Sequence, residues 1–155
     1  MAYPRRYRVI FLAVALSLLA TGCGESKLSQ CEKLNRVTNR VANQVKTFSQ
    51  QNNTGKYRSS LAEIAAELET SASELRNLKL QDARLKDLQA QFSQMYADAS
   101  RASRDLIIAA DRRDAKSGYT ALQALNQATN REPRLVTQAN QYCCPSPDAS
   151  NRCRP

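Results

Sequence analysis

From residue 26 to residue 143 the apolar side chains recur at alternating intervals of three and four, the period that lines up one face of an α-helix. A first helix is predicted over about 26–51. Its stripe is Cys31, Leu34, Thr38, Val41, Val45 and Phe48, widened by Val37, and Asn52-Asn53-Thr54-Gly55 ends it. A second is predicted over about 57–79 with the stripe Leu61, Ile64, Ala65, Leu68, Ala72, Leu75 and Leu78. Ser59 or Ser60 is its candidate cap, with Glu63 placed for a capping box. A third begins at Asp82 as N-cap and runs to about 111 through Leu85, Leu88, Phe92, Met95, Ala99, Ala102, Leu106 and Ala109. Neither Gly nor Pro separates the second helix from the third, so one continuous helix over 57–111 is the alternative to a break near Leu80-Gln81-Asp82. A fourth starts near Asp114 or Ala115 and carries Leu122, Leu125, Ala128, Val136 and Ala139. Pro133 falls inside it, where an interior proline costs about 3 kcal/mol, so a kink or restart is expected at Arg131-Glu132-Pro133.

No segment alternates like a strand, and the chain is rich in Ala, Leu, Gln, Arg and Ser with no Trp and four Gly. The expected class is all-α. Four amphipathic helices with short connections pack most simply as an antiparallel up-down four-helix bundle, the fourth helix kinked near Pro133. The stripes are narrow, so Phe92 and Met95 read as core packing rather than as a cofactor box. After Pro145 the chain becomes a Pro/Ser/Asn tail.

The first 23 residues follow a different rule. Arg5, Arg6 and Arg8 precede a run of twelve apolar or small residues, Val9 to Ala20, and then come Thr21, Gly22 and Cys23. The run is shorter than the roughly 20 residues that span a bilayer, and a basic start, apolar core and small-residue exit describe an export signal. Ala20-Thr21-Gly22 also suits ordinary signal cleavage, which leaves Cys23 free. The segment from Leu19 to Cys23 resembles the lipobox of bacterial lipoproteins. That resemblance implies cleavage before Cys23, a diacylglyceryl thioether on its sulfur and N-acylation, with the mature domain held on a membrane and facing the periplasm or an equivalent lumen. The expected organisation is a signal peptide over 1–22, a bundle over 23–144 and a tail over 145–155. Gly24 stands where a retained inner-membrane lipoprotein commonly carries Asp, so outer-membrane sorting is permitted. The helical remainder resembles small all-helical cyanobacterial envelope or lumenal lipoproteins, among them the extrinsic photosystem II subunit related to plant PsbQ. No binding residue transfers from that likeness.

The five cysteines fit this reading. With Cys23 lipidated, Cys31, Cys143, Cys144 and Cys153 remain, an even number suited to an oxidising compartment. In an antiparallel bundle the start of the first helix meets the end of the fourth. This places Cys31 against Cys143 and lets Cys144 pair with Cys153 across the tail. Cys31–Cys144 with Cys143–Cys153 is the alternative.

Little in the chain suggests catalysis. It has no His, which removes the commonest general base and metal ligand, and no Gly-rich loop. The carboxylate pairs Glu63/Glu67 and Asp111/Asp114 stand at helical spacing and read as solvated surface. No metal, cofactor or nucleic acid is expected. The formal charge of +9 becomes +6 without the three signal arginines, and the excess sits on the first helix, where Lys33, Arg36 and Arg40 form one ridge. That ridge is a candidate docking face for anionic headgroups or for an acidic protein. The expected role is non-catalytic: an interaction or structural protein at the envelope, anchored to the membrane through lipid on Cys23. An extrinsic accessory subunit of a membrane complex and a periplasmic ligand-binding protein or enzyme are the alternatives.

Overall fold

A computed structural model of the chain describes residues 25–51 and 57–144, which are all-helical apart from short connections. Its five helices are α1 (Lys27–Gln51), α2 (Tyr57–Asn77), α3 (Ala83–Arg112), α4 (Ala115–Thr129) and α5 (Glu132–Cys143). The expected signal segment and tail, with Cys23 and Cys153, lie outside the described residues.

The break between α2 and α3 falls at residues 78–82, which excludes the single long helix. Asp82 caps α3 as expected: its backbone is extended and its Oδ1 accepts the Leu85 amide at 2.9 Å. Ser59 and Ser60 are not caps, because α2 already runs from Tyr57. The α3–α4 turn is only Arg113-Asp114. Arg113 takes the left-handed conformation (φ 54°) that returns its amide to the carbonyls of Ala109 and Ala110, and Asp114 caps α4 through the Ser117 amide. Pro133 stands in the first turn of a new helix, where its missing N–H costs nothing. The expected kinked fourth helix is therefore two helices, α4 and α5.

The packing contacts follow a simple numerical rule. Ser100 and Ser93 on α3 donate to the carbonyls of Ala65 (2.6 Å) and Ala72 (2.9 Å) on α2. Gln89 reaches Leu75 and Leu78, and at the far end Arg58 pairs with Asp111. Residue numbers thus rise along α2 as they fall along α3. On the opposite side Arg131 pairs with Asp98 at 2.6 Å and Tyr142 with Asp82 at 2.8 Å, so the α4–α5 arm also runs counter to α3. Ser93 and Ser100 keep the α2–α3 seam thin and return their own buried hydroxyls to α2 carbonyls, so the close approach leaves those two groups satisfied.

The core holds the expected stripes of α2 and α3 almost whole, with Phe92 and Met95 buried inside. Three predicted core positions are corrected. Val45 is 42% exposed, because α1 leaves the core beyond Val41 and a hollow of about 380 Å³ opens between its second half and α2. Leu122 (45%) and Val136 (39%) also face outward. The buried line of the fourth arm is Ala121, Ala128, Leu135, Ala139 and Cys143, with Leu125 half-buried beside it.

Candidate functional site

Chemistry-bearing contacts concentrate at the end of the molecule where α1 begins, α2 joins α3 and α5 finishes. Cys31 and Cys143 are bonded there, with Cα atoms 5.8 Å apart. The alternative pairing of Cys31 with Cys144 is thereby excluded. Cys144 is itself disulfide-bonded. Its expected partner, Cys153, lies outside the described residues.

Buried Gln30 ties the inter-helix connection to α1. Its Oε1 accepts the backbone amides of Gln81 (2.6 Å) and Asp82 (2.9 Å), and its Nε2 donates to the Glu25 carbonyl (2.9 Å). Three backbone groups outside the helices, which no helical ladder satisfies, are bonded by one side chain. Asp82 does similar double service. Its Oδ2 accepts the Tyr142 hydroxyl at 2.8 Å, and the Tyr142 ring lies 3.6 Å beneath the Lys27 ammonium. Neither Gln30 nor Tyr142 stood out in the sequence. Their only signal was a polar or amphipathic residue beside a stripe cysteine, one position before each bridge half-cystine.

The Leu85 amide and the Tyr142 hydroxyl hold the Asp82 carboxyl below its ordinary range, and the same bond raises the Tyr142 phenol. A carboxyl depressed in the folded state contributes stability above its unfolded pKa and loses it as pH falls through the folded value. Asp82→Ala is therefore expected to lower stability by a constant amount between pH 5 and 8. The gap to the unsubstituted protein should narrow below about pH 4, the usual carboxylate range. Urea unfolding at pH 7 and pH 3 reads this, and a gap equally wide at pH 3 would contradict it.

Lys33, Arg36 and Arg40 do share one ridge of α1, but the fold uses two of the three. Lys33 pairs with Glu25 at 2.7 Å, holding that carboxyl below its ordinary range with help from the Ser29 hydroxyl. Arg40 bridges α1 to α2 by bonding Glu74 and, at 3.1 Å, Glu67, with Ser71 at 3.3 Å. Arg36 is exposed. The carboxylate pairs are likewise engaged. Glu67 serves Arg40, Asp111 serves Arg58, Asp114 caps α4, and Glu63 is exposed.

An open groove of about 530 Å³ lies between the end of α3 and the start of α4, flanked by Asp105, Arg112, Lys116 and Thr120. Among the described residues no group of three or more His, Cys, Asp or Glu side chains is placed to hold a metal, and no helix is long and apolar enough to cross a membrane. Comparison with known protein families, characterised proteins and solved structures gives no match.

Proposed function

We propose that this chain is a lipid-anchored helical protein of a bacterial envelope, tethered through Cys23 and serving a non-catalytic interaction or structural role. We infer in addition that α1, α2, α3 and the α4–α5 arm form one antiparallel up-down bundle. The observation that carries the functional reading is the succession Arg5-Arg6, a twelve-residue apolar core, and Ala20-Thr21-Gly22-Cys23.

Other features support it. A buried cystine between Cys31 and Cys143 suits an oxidising compartment. Glu25, two residues after Cys23 in the sequence, bonds Gln30 and Lys33 at the end of the molecule that carries this bridge. Around that end Lys27, Lys79 and Lys86 are exposed, and Leu28 is 46% exposed beside Lys27. Cations near an anionic leaflet add about 1 kcal/mol each to membrane binding, and an apolar side chain beside them can enter the headgroup layer. One acyl chain alone binds reversibly, so a lipidated cysteine next to basic residues supplies the second signal. The opposite end, away from the tether, exposes Tyr119 (64%) and Ile108 (47%), apolar surface suited to a protein partner.

Intact mass of the protein from its native membrane, without reduction, tests the reading. The expected mass is that of residues 23–155 plus acyl chains, less four hydrogens for two disulfides. Cys23→Ala is expected to move essentially all of the protein from the membrane to the soluble fraction or leave it unprocessed. An unlipidated mass, or unchanged membrane retention of a Cys23→Ala protein whose signal has been cleaved, would overturn the lipid anchor.

A further inference from the structure

Between α1 and α5 the molecule holds a cleft of about 180 Å³ whose chemistry the anchor and the bridge do not use. Glu132 lines it. This residue stands at a seam position of the fourth arm, four after buried Ala128 and three before buried Leu135, where the pattern calls for an apolar side chain. Among the described residues its carboxylate has no ion-pair partner, and partial burial alone raises its pKa. Glu132 thus lacks the partner that a half-buried charge ordinarily has.

The rest of the cleft defines what would complete it. Ala42, Val136 and Ala139 present a narrow apolar wall, and Asn39 and Asn140 stand among its polar lining residues. A carboxylate calls for a cation. A narrow apolar wall suits methylenes, and the volume excludes a bulky head. We propose that this cleft binds a primary alkylammonium group, the ammonium on Glu132 and its alkyl stem along Val136 and Ala139. Such a group is found on a free diamine and at the end of a lysine side chain of a partner protein. The proposal is independent of the lipid anchor, since every residue that lines the cleft lies within the helical domain.

Backbone-amide NMR of the full chain in detergent, disulfides intact, tests it by titration with 1,5-diaminopentane, with Nα-acetyl-lysine-N-methylamide and with neutral 1-pentanol. Shifts are expected at Glu132, Val136 and Asn39 with one or both amines and not with pentanol. Saturation by the diamine alone points to a free amine, and saturation by the lysine derivative points to a protein side chain. Glu132→Gln removes an unpaired charge and so is expected to keep the fold, while weakening amine binding about tenfold or more. Val136→Trp, at a position that already faces outward, is expected to fill the cleft and abolish binding with Glu132 intact. Shifts scattered over exposed carboxylates, equal response to pentanol, or binding unchanged in both variants would overturn the proposal.

Discussion

Replacing Cys31 and Cys143 together by serine is expected to cost about 4 kcal/mol of stability, the largest effect of any substitution considered. The bridge joins residues 112 apart. In the chain-entropy model a closed loop of that length removes roughly 4–5 kcal/mol of freedom from the unfolded chain. The contribution also has a local component. α5 is only twelve residues long, below the length at which an isolated helix persists in water, so it depends on what holds its ends. Its start is held by Arg131 on Asp98. Its finish is held by Tyr142 on Asp82 and by the cystine. Without the cystine, the direct ties between the start of α1 and the end of α5 are reduced to the Lys27–Tyr142 contact, with Asp82 holding Tyr142 from the α2–α3 connection. The double variant is the informative one, because a lone Cys143 thiol beside disulfide-bonded Cys144 invites exchange. For a chain of this size the loss corresponds to a fall in melting temperature of about 8–16 °C, readable by circular dichroism. Hydrogen exchange should accelerate first in α5 and the opening turns of α1. A loss under 1 kcal/mol, or exchange that accelerates uniformly, would show that the bridge does not hold this end.

Much of this end was legible beforehand because its logic is topological. Cys31 lies on the stripe of the first helix and Cys143 four residues beyond Ala139, so any counter-running arrangement brings the two half-cystines together. The break at residues 78–82 was legible for a local reason: Asp82 offers an N-cap three residues ahead of Leu85, and the chain takes it. What the sequence hides is which polar residues are committed to partners. Lys33, Arg36 and Arg40 read as one cationic ridge, yet the partners that claim Lys33 and Arg40 lie eight residues upstream and about thirty residues downstream. Spacing along one helix carries no information about charges on the next. The same holds for Gln30, whose function depends on two amides some fifty residues away. The α2–α3 seam was hidden by chemistry rather than distance. Ser93 and Ser100 count as polar, but their hydroxyls return to α2 carbonyls, so they pack as small core residues.

The fourth arm was misread for another reason, and it yields the second large effect. Leu135→Ala is expected to cost about 3 kcal/mol, within the 2–5 kcal/mol typical of deleting a buried leucine side chain, whereas Val136→Ala should cost well under 1 kcal/mol. The two residues are adjacent, similar in size and equally apolar, so composition cannot distinguish them. Their surroundings do, with Leu135 1% exposed and Val136 39%. A stripe chosen by side-chain size runs through Leu122 and Val136. The stripe the fold uses runs through positions 121, 125, 128, 132, 135, 139 and 143, which keeps spacings of three and four across the break at Asn130 but places Ala and Glu at positions where bulk was sought. Small residues there let α4 approach α3 closely, which is why Ala121 and Ala128 are buried although they add little apolar area themselves. The choice of face then also explains why Glu132 meets the cleft rather than solvent. Chemical denaturation of both variants separates the two registers cleanly. Equal losses at 135 and 136, or the larger loss at 136, would mean that α5 presents the other face to the core, and the placement of Glu132 at the seam would fall with it.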